Sequence, residues 1–141
     1  MPTLLQAVAT RLKANAELAA LLTTYQGQPA VFADELAPPN AQKPYVVVSA
    51  PVTTPWNALS AKGQDVDFKV QVYARDGQHE DSLWAFEKPI RDSLDEPGSW
   101  SPAVTGFSVI SISVSAAAPG PYEPGITSRL VSVRALLRRT D

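Results

Sequence analysis

The stretch DVDFKVQVYARDG, Asp65–Gly77, decides the fold. Its even positions Val66, Phe68, Val70 and Val72 are apolar, while Asp65, Asp67, Lys69 and Gln71 between them are polar. Side chains alternate between two faces along a strand, so the pattern is that of a half-buried β-strand. One face wants a core. The other face must look at water, at a partner, or into an enclosed space.

Downstream, Leu83, Phe86, Ile90 and Leu94 recur at helical spacing and offer an apolar face to that strand. Pro89 falls inside this run and lacks the N–H that the carbonyl of residue 85 would accept, so a kink or restart is expected. Upstream, YVVVSAPV (45–52) is apolar on both parities at first, as in a well-covered central strand. Pro51 and Pro55 are expected to end regular pairing on at least one side. Residues 53–64, TTPWNALSAKGQ, show no tight two-residue hairpin and are expected to form a long projecting arm or a flexible loop.

The N-terminal region carries Thr3 and Gln6 at capping-box spacing, then Leu5, Val8 and Leu12. Asn15 can recap the chain before Leu18, Leu21 and Leu22, which predicts one helix or two short ones over about 3–22. AVFA (30–33) reads as a short edge strand. FSVISISVS (107–115) alternates, with Phe107, Val109 and Ser111 on one parity and Ser108, Ile110, Ile112 and Val114 on the other. In SRLVSVRALLRR (128–139), Val131, Val133, Ala135 and Leu137 share one face and Ser132, Arg134, Leu136 and Arg138 the other. Strands arriving in pairs predict an α+β fold over residues 1–141: a largely antiparallel four- to five-stranded sheet with two main helices packed on one face.

Composition limits the function. The 141 residues are 45% hydrophobic and 18% charged with a net charge of −2, as in a single folded domain without global affinity for nucleic acid. There are no cysteines, which excludes disulfides, thiol chemistry and thiolate metal sites. No apolar run reaches the roughly 18–20 residues of a membrane span, and no basic segment precedes the first apolar one as in a signal peptide.

Catalytic groups are scarce. His79 is the only histidine, and with Glu80 and Asp81 it reads as a solvated helix start, since adjacent helix positions diverge and cannot converge on a metal. Neither a nucleophile elbow nor a phosphate-binding glycine loop is present. Asp65 and Asp67 share a strand face, but a solvated face explains them better than acid–base work. Trp56, Trp84 and Trp100 lack the interleaved basic residues of a nucleic-acid platform and read as packing residues. No catalytic residue, cofactor or metal is therefore expected. Charge is uneven: residues 65–96 hold nine acidic and four basic groups, while residues 126–141 hold four arginines against Asp141. This is either ordinary surface patterning or the two halves of a head-to-tail contact between subunits.

Four strings in order resemble the tail terminator (tail completion) proteins of long-tailed phages: LLQAVATRLKANAELAALL, AVFADELAP with PYVVVS, DVDFKVQVYARDGQHEDSLWAFEKPIRDSL, and YEPGITSRLVSVRALLR. Pro89 and the loops bearing Trp56 and Trp100 depart from that pattern. The resemblance implies a non-enzymatic virion protein, assembled in the host cytoplasm. It would form a ring, most simply a hexamer, at the head-proximal end of the tail tube. The ring would stop tube growth and join tail to head. Its implied partners are other copies of itself, the tube protein and the head–tail connector, with DNA passing through the lumen unread. Asp65, Asp67, Lys69 and Gln71 then become candidate lumen residues, leaning acidic so that phosphates are repelled. Trp56, Trp100, Tyr122, Arg129, Arg134 and Arg138 become candidate contacts with neighbouring subunits or partners. The alternatives are a head-closure subunit, a tube protein, or a small α+β ligand-binding domain.

Overall fold

The computed structural model describes residues 4–33, 42, 44–74, 84–94, 104, 106–119 and 127–140. Two helices open the chain, α1 (Leu4–Lys13) and α2 (Ala16–Leu21). The short strands β1 (Thr24–Tyr25), β2 (Gln28–Pro29) and β3 (Val31–Ala33) follow, then the long strands β4 (Tyr45–Ala58) and β5 (Ala61–Tyr73). Helix α3 (Trp84–Leu94) precedes β6 (Phe107–Pro119) and β7 (Ser128–Arg139). No helix among the described residues is long and apolar enough to cross a membrane.

The main sheet has five strands in the order β3-β4-β5-β7-β6, and β1 and β2 form a separate ribbon. The α+β class and the strand count of the main sheet agree with the sequence reading, but the sheet is mixed. β3 runs parallel to β4 (Val31↔Val46 to Ala33↔Val48), while the other three pairings are antiparallel. The ribbon was not expected. It turns through Gln26 and Gly27, both at positive φ, where glycine carries no steric cost.

The DVDFKVQV strand is the middle of the sheet. Val66, Phe68, Val70 and Val72 are at most 5% exposed and pack in one core with Val46, Val48, Val131, Val133, Ala135 and Leu137. Leu5, Val8, Leu12 and Leu18 of α1 and α2, with Phe86, Ile90 and Leu94 of α3, complete that core from one side. Leu83, given the same role by periodicity, lies outside the described residues, as does Thr3 of the capping box. Pro89 does not restart α3, which runs unbroken from Trp84 to Leu94 with Pro89 buried.

Asn15 ends α1 and caps α2, and the Leu18 N–H donates to its Oδ1 at 2.9 Å. Its Nδ2 donates to Ser93 Oγ at 2.7 Å and to the Pro89 carbonyl at 3.3 Å, so one side chain ties the first two helices to α3. Asn15→Ala removes the cap and both ties. It is expected to lower stability by about 1–2 kcal/mol. Urea unfolding would show a lower midpoint at unchanged slope, and an unchanged midpoint would deny the role.

The β4–β5 connection corrects the sequence reading. It is a tight hairpin. Pairing runs continuously from Val52↔Asp67 to Ala58↔Ala61, leaving only Leu59 and Ser60 in the turn. Of the projecting arm expected over 53–64, only the tip at residues 57–62 passes beyond the β5–β7 ladder, and a two-residue turn closes it. Pro55 does not end pairing with β5, where it faces Gln64 in register, while on its other side β4 has no pairing beyond Val48 among the described residues. Pro51 falls in the bulge between Ser49 and Val52, where the ladder is already interrupted.

Candidate functional site

The helices cover one face of the sheet, so the other face is where a site must be sought. Register places Gly63, Asp65, Asp67, Lys69, Gln71 and Tyr73 of β5 beside Arg138, Leu136, Arg134, Ser132, Leu130 and Ser128 of β7 on that face. All four candidate lumen residues stand there together, as period-two alternation requires.

A β-bulge brings the serines of β6 to the same face. By strict alternation Ser108 and Ser111 fall on opposite sides. Ile110 is the extra residue between Val109↔Leu137 and Ser111↔Leu136, and it resets the alternation. Ser108, Ser111 and Ser113 then lie beside Arg138, Leu136 and Arg134, while Val109, Ile112 and Val114 turn toward the core side.

The centre of the face is a polar ladder. Gln71 Nε2 donates to Ser128 Oγ at 3.0 Å, and Lys69 Nζ donates to Ser132 Oγ at 2.7 Å. Arg134 donates to Asp65 through both Nε (2.9 Å to Oδ1) and Nη2, a forked pair that fixes both side chains. The acidic lean inferred from β5 alone does not survive this neighbourhood. Among the described residues, Asp65 and Asp67 share the face with Lys69, Arg134 and Arg138, which makes that part of it balanced to slightly basic.

The hydrogen bonds from Arg134, aided by its charge, hold the Asp65 carboxyl below the usual carboxylate range. The folded value is thus below the unfolded one. Any stability from the pair is present above the ordinary carboxylate range and is lost as pH falls through the lowered value. An NMR titration should find Asp65 with a depressed midpoint that rises toward normal in Arg134→Ala. A midpoint unmoved by that substitution would show the pair to be absent in solution.

Each end of the face carries aromatic rings. At one end Tyr25, Phe32, Tyr45 and Tyr73 form a row, with successive centroids 5.4, 5.9 and 5.1 Å apart. Burial raises the Tyr45 hydroxyl pKa. At the other end Trp56 lies against Gly63, its cross-strand partner. The Trp56 indole N–H is buried without a hydrogen-bond acceptor among the described residues. Sequence reasoning missed the tyrosine row, because it exists only once Tyr45 and Tyr73 are in register. Gly63 was a legible signal, since a glycine inside an alternating strand marks a close approach.

The arginines separate. Arg134 and Arg138 lie on the open face and are exposed. Arg129, of opposite parity, faces Val72 and turns to the helix side. Its guanidinium sits 3.5 Å from Glu87 Oε2 and 5.4 Å from the Trp84 ring centroid, with its side chain 12% exposed. Glu87 also pairs with Arg91 at 3.3 Å. The acid-rich middle and the arginine-rich end of the sequence therefore meet within one chain, at Asp65–Arg134 and Glu87–Arg129. Trp100 and Tyr122 lie outside the described residues, as do His79, Glu80 and Asp81. No cluster of His, Cys, Asp and Glu among the described residues can hold a metal.

A concavity of about 410 Å³ lies between α1 and the β1–β2 ribbon and is lined by Gln6, Thr10, Lys13, Tyr25, Gln28 and Phe32 among others. Lys13 is the only charged group in its lining among the described residues.

A family model described as tail completion protein gp17 matches residues 6–137. Among solved structures, a chain in "Virion of native gene transfer agent (GTA) particle" has the same fold, with a TM-score of 0.78 at 22% identity. The match covers 96% of this chain and 95% of that one. No curated protein matches.

Proposed function

We propose, since the chain belongs to the tail completion protein gp17 family, that it closes into a ring on the end of the phage tail tube. As a member of that family it is a structural protein of the virion tail. The finer reading is that the ring ends tube polymerisation and presents a second surface to the head–tail connector. The sheet's open face would line the lumen and the helices would lie outside.

The observation that carries this reading is the ladder on the open face. A lumen passing DNA needs polar groups that neither grip phosphate nor repel water. Cations already engaged by Asp65, Ser132 and their neighbours meet that need better than a run of free lysines. No described residues on this face converge as catalytic groups do, and their chemistry suits a surface.

The test is assembly. Mixed with polymerising tube protein, the purified chain should halt elongation, and negative-stain images should show rings seated at tube ends. Tubes that lengthen unchanged would remove the terminator reading. Tubes built by this chain alone would favour a tube protein instead.

A further inference from the structure

Among the described residues, four large apolar side chains stand exposed: Val52, Leu59, Trp84 and Ile110. Trp84 carries the Arg129 guanidinium, and Leu59 sits in the hairpin turn. Val52 and Ile110 remain, at 63% and 53% exposure. Each stands at a β-bulge, Val52 closing the one in β4 and Ile110 forming the one in β6. Bulges re-aim side chains and recur at sheet edges.

The two lie on opposite edges of the sheet. β6 is one terminal strand. On the other side, among the described residues, β3 covers β4 only from Val46 to Val48, so from Val52 to Ala58 the outer side of β4 is itself an edge. They also lie at similar heights. One row across the sheet reads Val52–Asp67–Arg134–Ser113 and another Thr54–Asp65–Leu136–Ser111, with Ile110 next in β6. The offset between Val52 and Ile110 along the strands is about 8 Å.

From this geometry, and on the ring reading above, we infer that the β4 edge of one copy packs against the β6 edge of the next, with Val52 and Ile110 meeting across the seam. The occupant is a second copy because the two patches are alike in chemistry, nearly level, and on opposite edges of one sheet. A contact between unlike edges is head-to-tail and closes when the rotation fits. Strand direction agrees. β4 and β6 run in opposite senses, so about an axis along the strands they meet antiparallel, as neighbours in this sheet already do. Pro51 and Pro55 remove donors from this stretch of β4, so side chains hold the seam and a continuous backbone ladder does not.

The absence of cysteine makes the test clean. In Val52→Cys/Ile110→Cys the two thiols of one chain are separated by three strand spacings, about 14 Å, beyond the roughly 7 Å Cα reach of a disulfide. Only two copies can bond. Mild oxidation, with and without tube protein, should give a ladder on a non-reducing gel that ends at one closed species. Leu59→Cys/Ile110→Cys should give none. Ile110→Asp should raise the concentration needed for self-assembly at least tenfold, while Ile110→Leu leaves it unchanged. Rings seen by microscopy without a Val52/Ile110 ladder overturn the seam and leave the ring. Neither rings nor ladder under either condition overturns both. A ladder from the Leu59 pair alone places the contact at the arm tip and also overturns the seam.

Discussion

Phe68→Ala is expected to remove about 3–5 kcal/mol of stability. Among the described residues Phe68 is the largest side chain with no exposure, and it sits on the central strand facing Val133. Truncation forfeits its transfer free energy and leaves a cavity. Strands pair with β5 on both sides, and helices lie above the buried face, so the walls have little room to collapse. A domain of this size holds only about 5–15 kcal/mol in total, so the variant should stand close to its unfolding midpoint at 37 °C. Urea denaturation measures the loss. A drop below about 1 kcal/mol would mean that Phe68 is not enclosed as the structure has it.

Gly63→Val is the second large effect. A Cβ built at Gly63 would overlap the Leu137 carbonyl oxygen and the six-membered ring of Trp56. The ring can swing away, but the carbonyl belongs to the backbone of the neighbouring strand. The arm must part from β7 or bend. Overpacking of this kind costs about 1–3 kcal/mol and more where backbone must move. The expected result is a lowered thermal midpoint with a change in tryptophan fluorescence. Gly63→Val combined with Trp56→Ala should recover only part of the loss, since the carbonyl clash remains. Full recovery would assign the whole effect to the indole.

The core was legible because it follows from one rule. Val66, Phe68, Val70 and Val72 repeat every second residue, and Phe86, Ile90 and Leu94 repeat at helical spacing, so each element announced its buried face without reference to the others. Asn15 was legible for the same local reason, as a capping residue between two leucine runs. Features that depend on pairing were not. The parallel direction of β3 leaves no mark in three residues. The two-residue turn at Leu59 and Ser60 lacks the Asn-Gly or Asp-Gly pair that usually marks such a hairpin, and two prolines argued against pairing in a strand whose ladder accommodates both. The β6 bulge defeated alternation by one residue, which moved Ser111 to the face of Ser108. The candidate face was readable as a row of polar residues on β5. Its charge was not, because two of its five described charged groups, Arg134 and Arg138, come from β7, and Arg134 stands 69 positions after its partner Asp65.

The outer stretch of β4 has a mechanical consequence. Below Ser49 the sheet is clamped by helices, whereas from Pro51 to Ser60 β4 and the hairpin turn are exposed except at half-covered Trp56. A bulge marks the junction. Across this stretch β5 stays paired with β7 from Gly63 onward, so among the described residues β4 alone is held from one side only. An outermost strand backed by a single neighbour gives way more readily than strands inside the sheet, as the last slat of a blind does. On the ring reading, small errors of fit would be absorbed in this outer strand without disturbing the core.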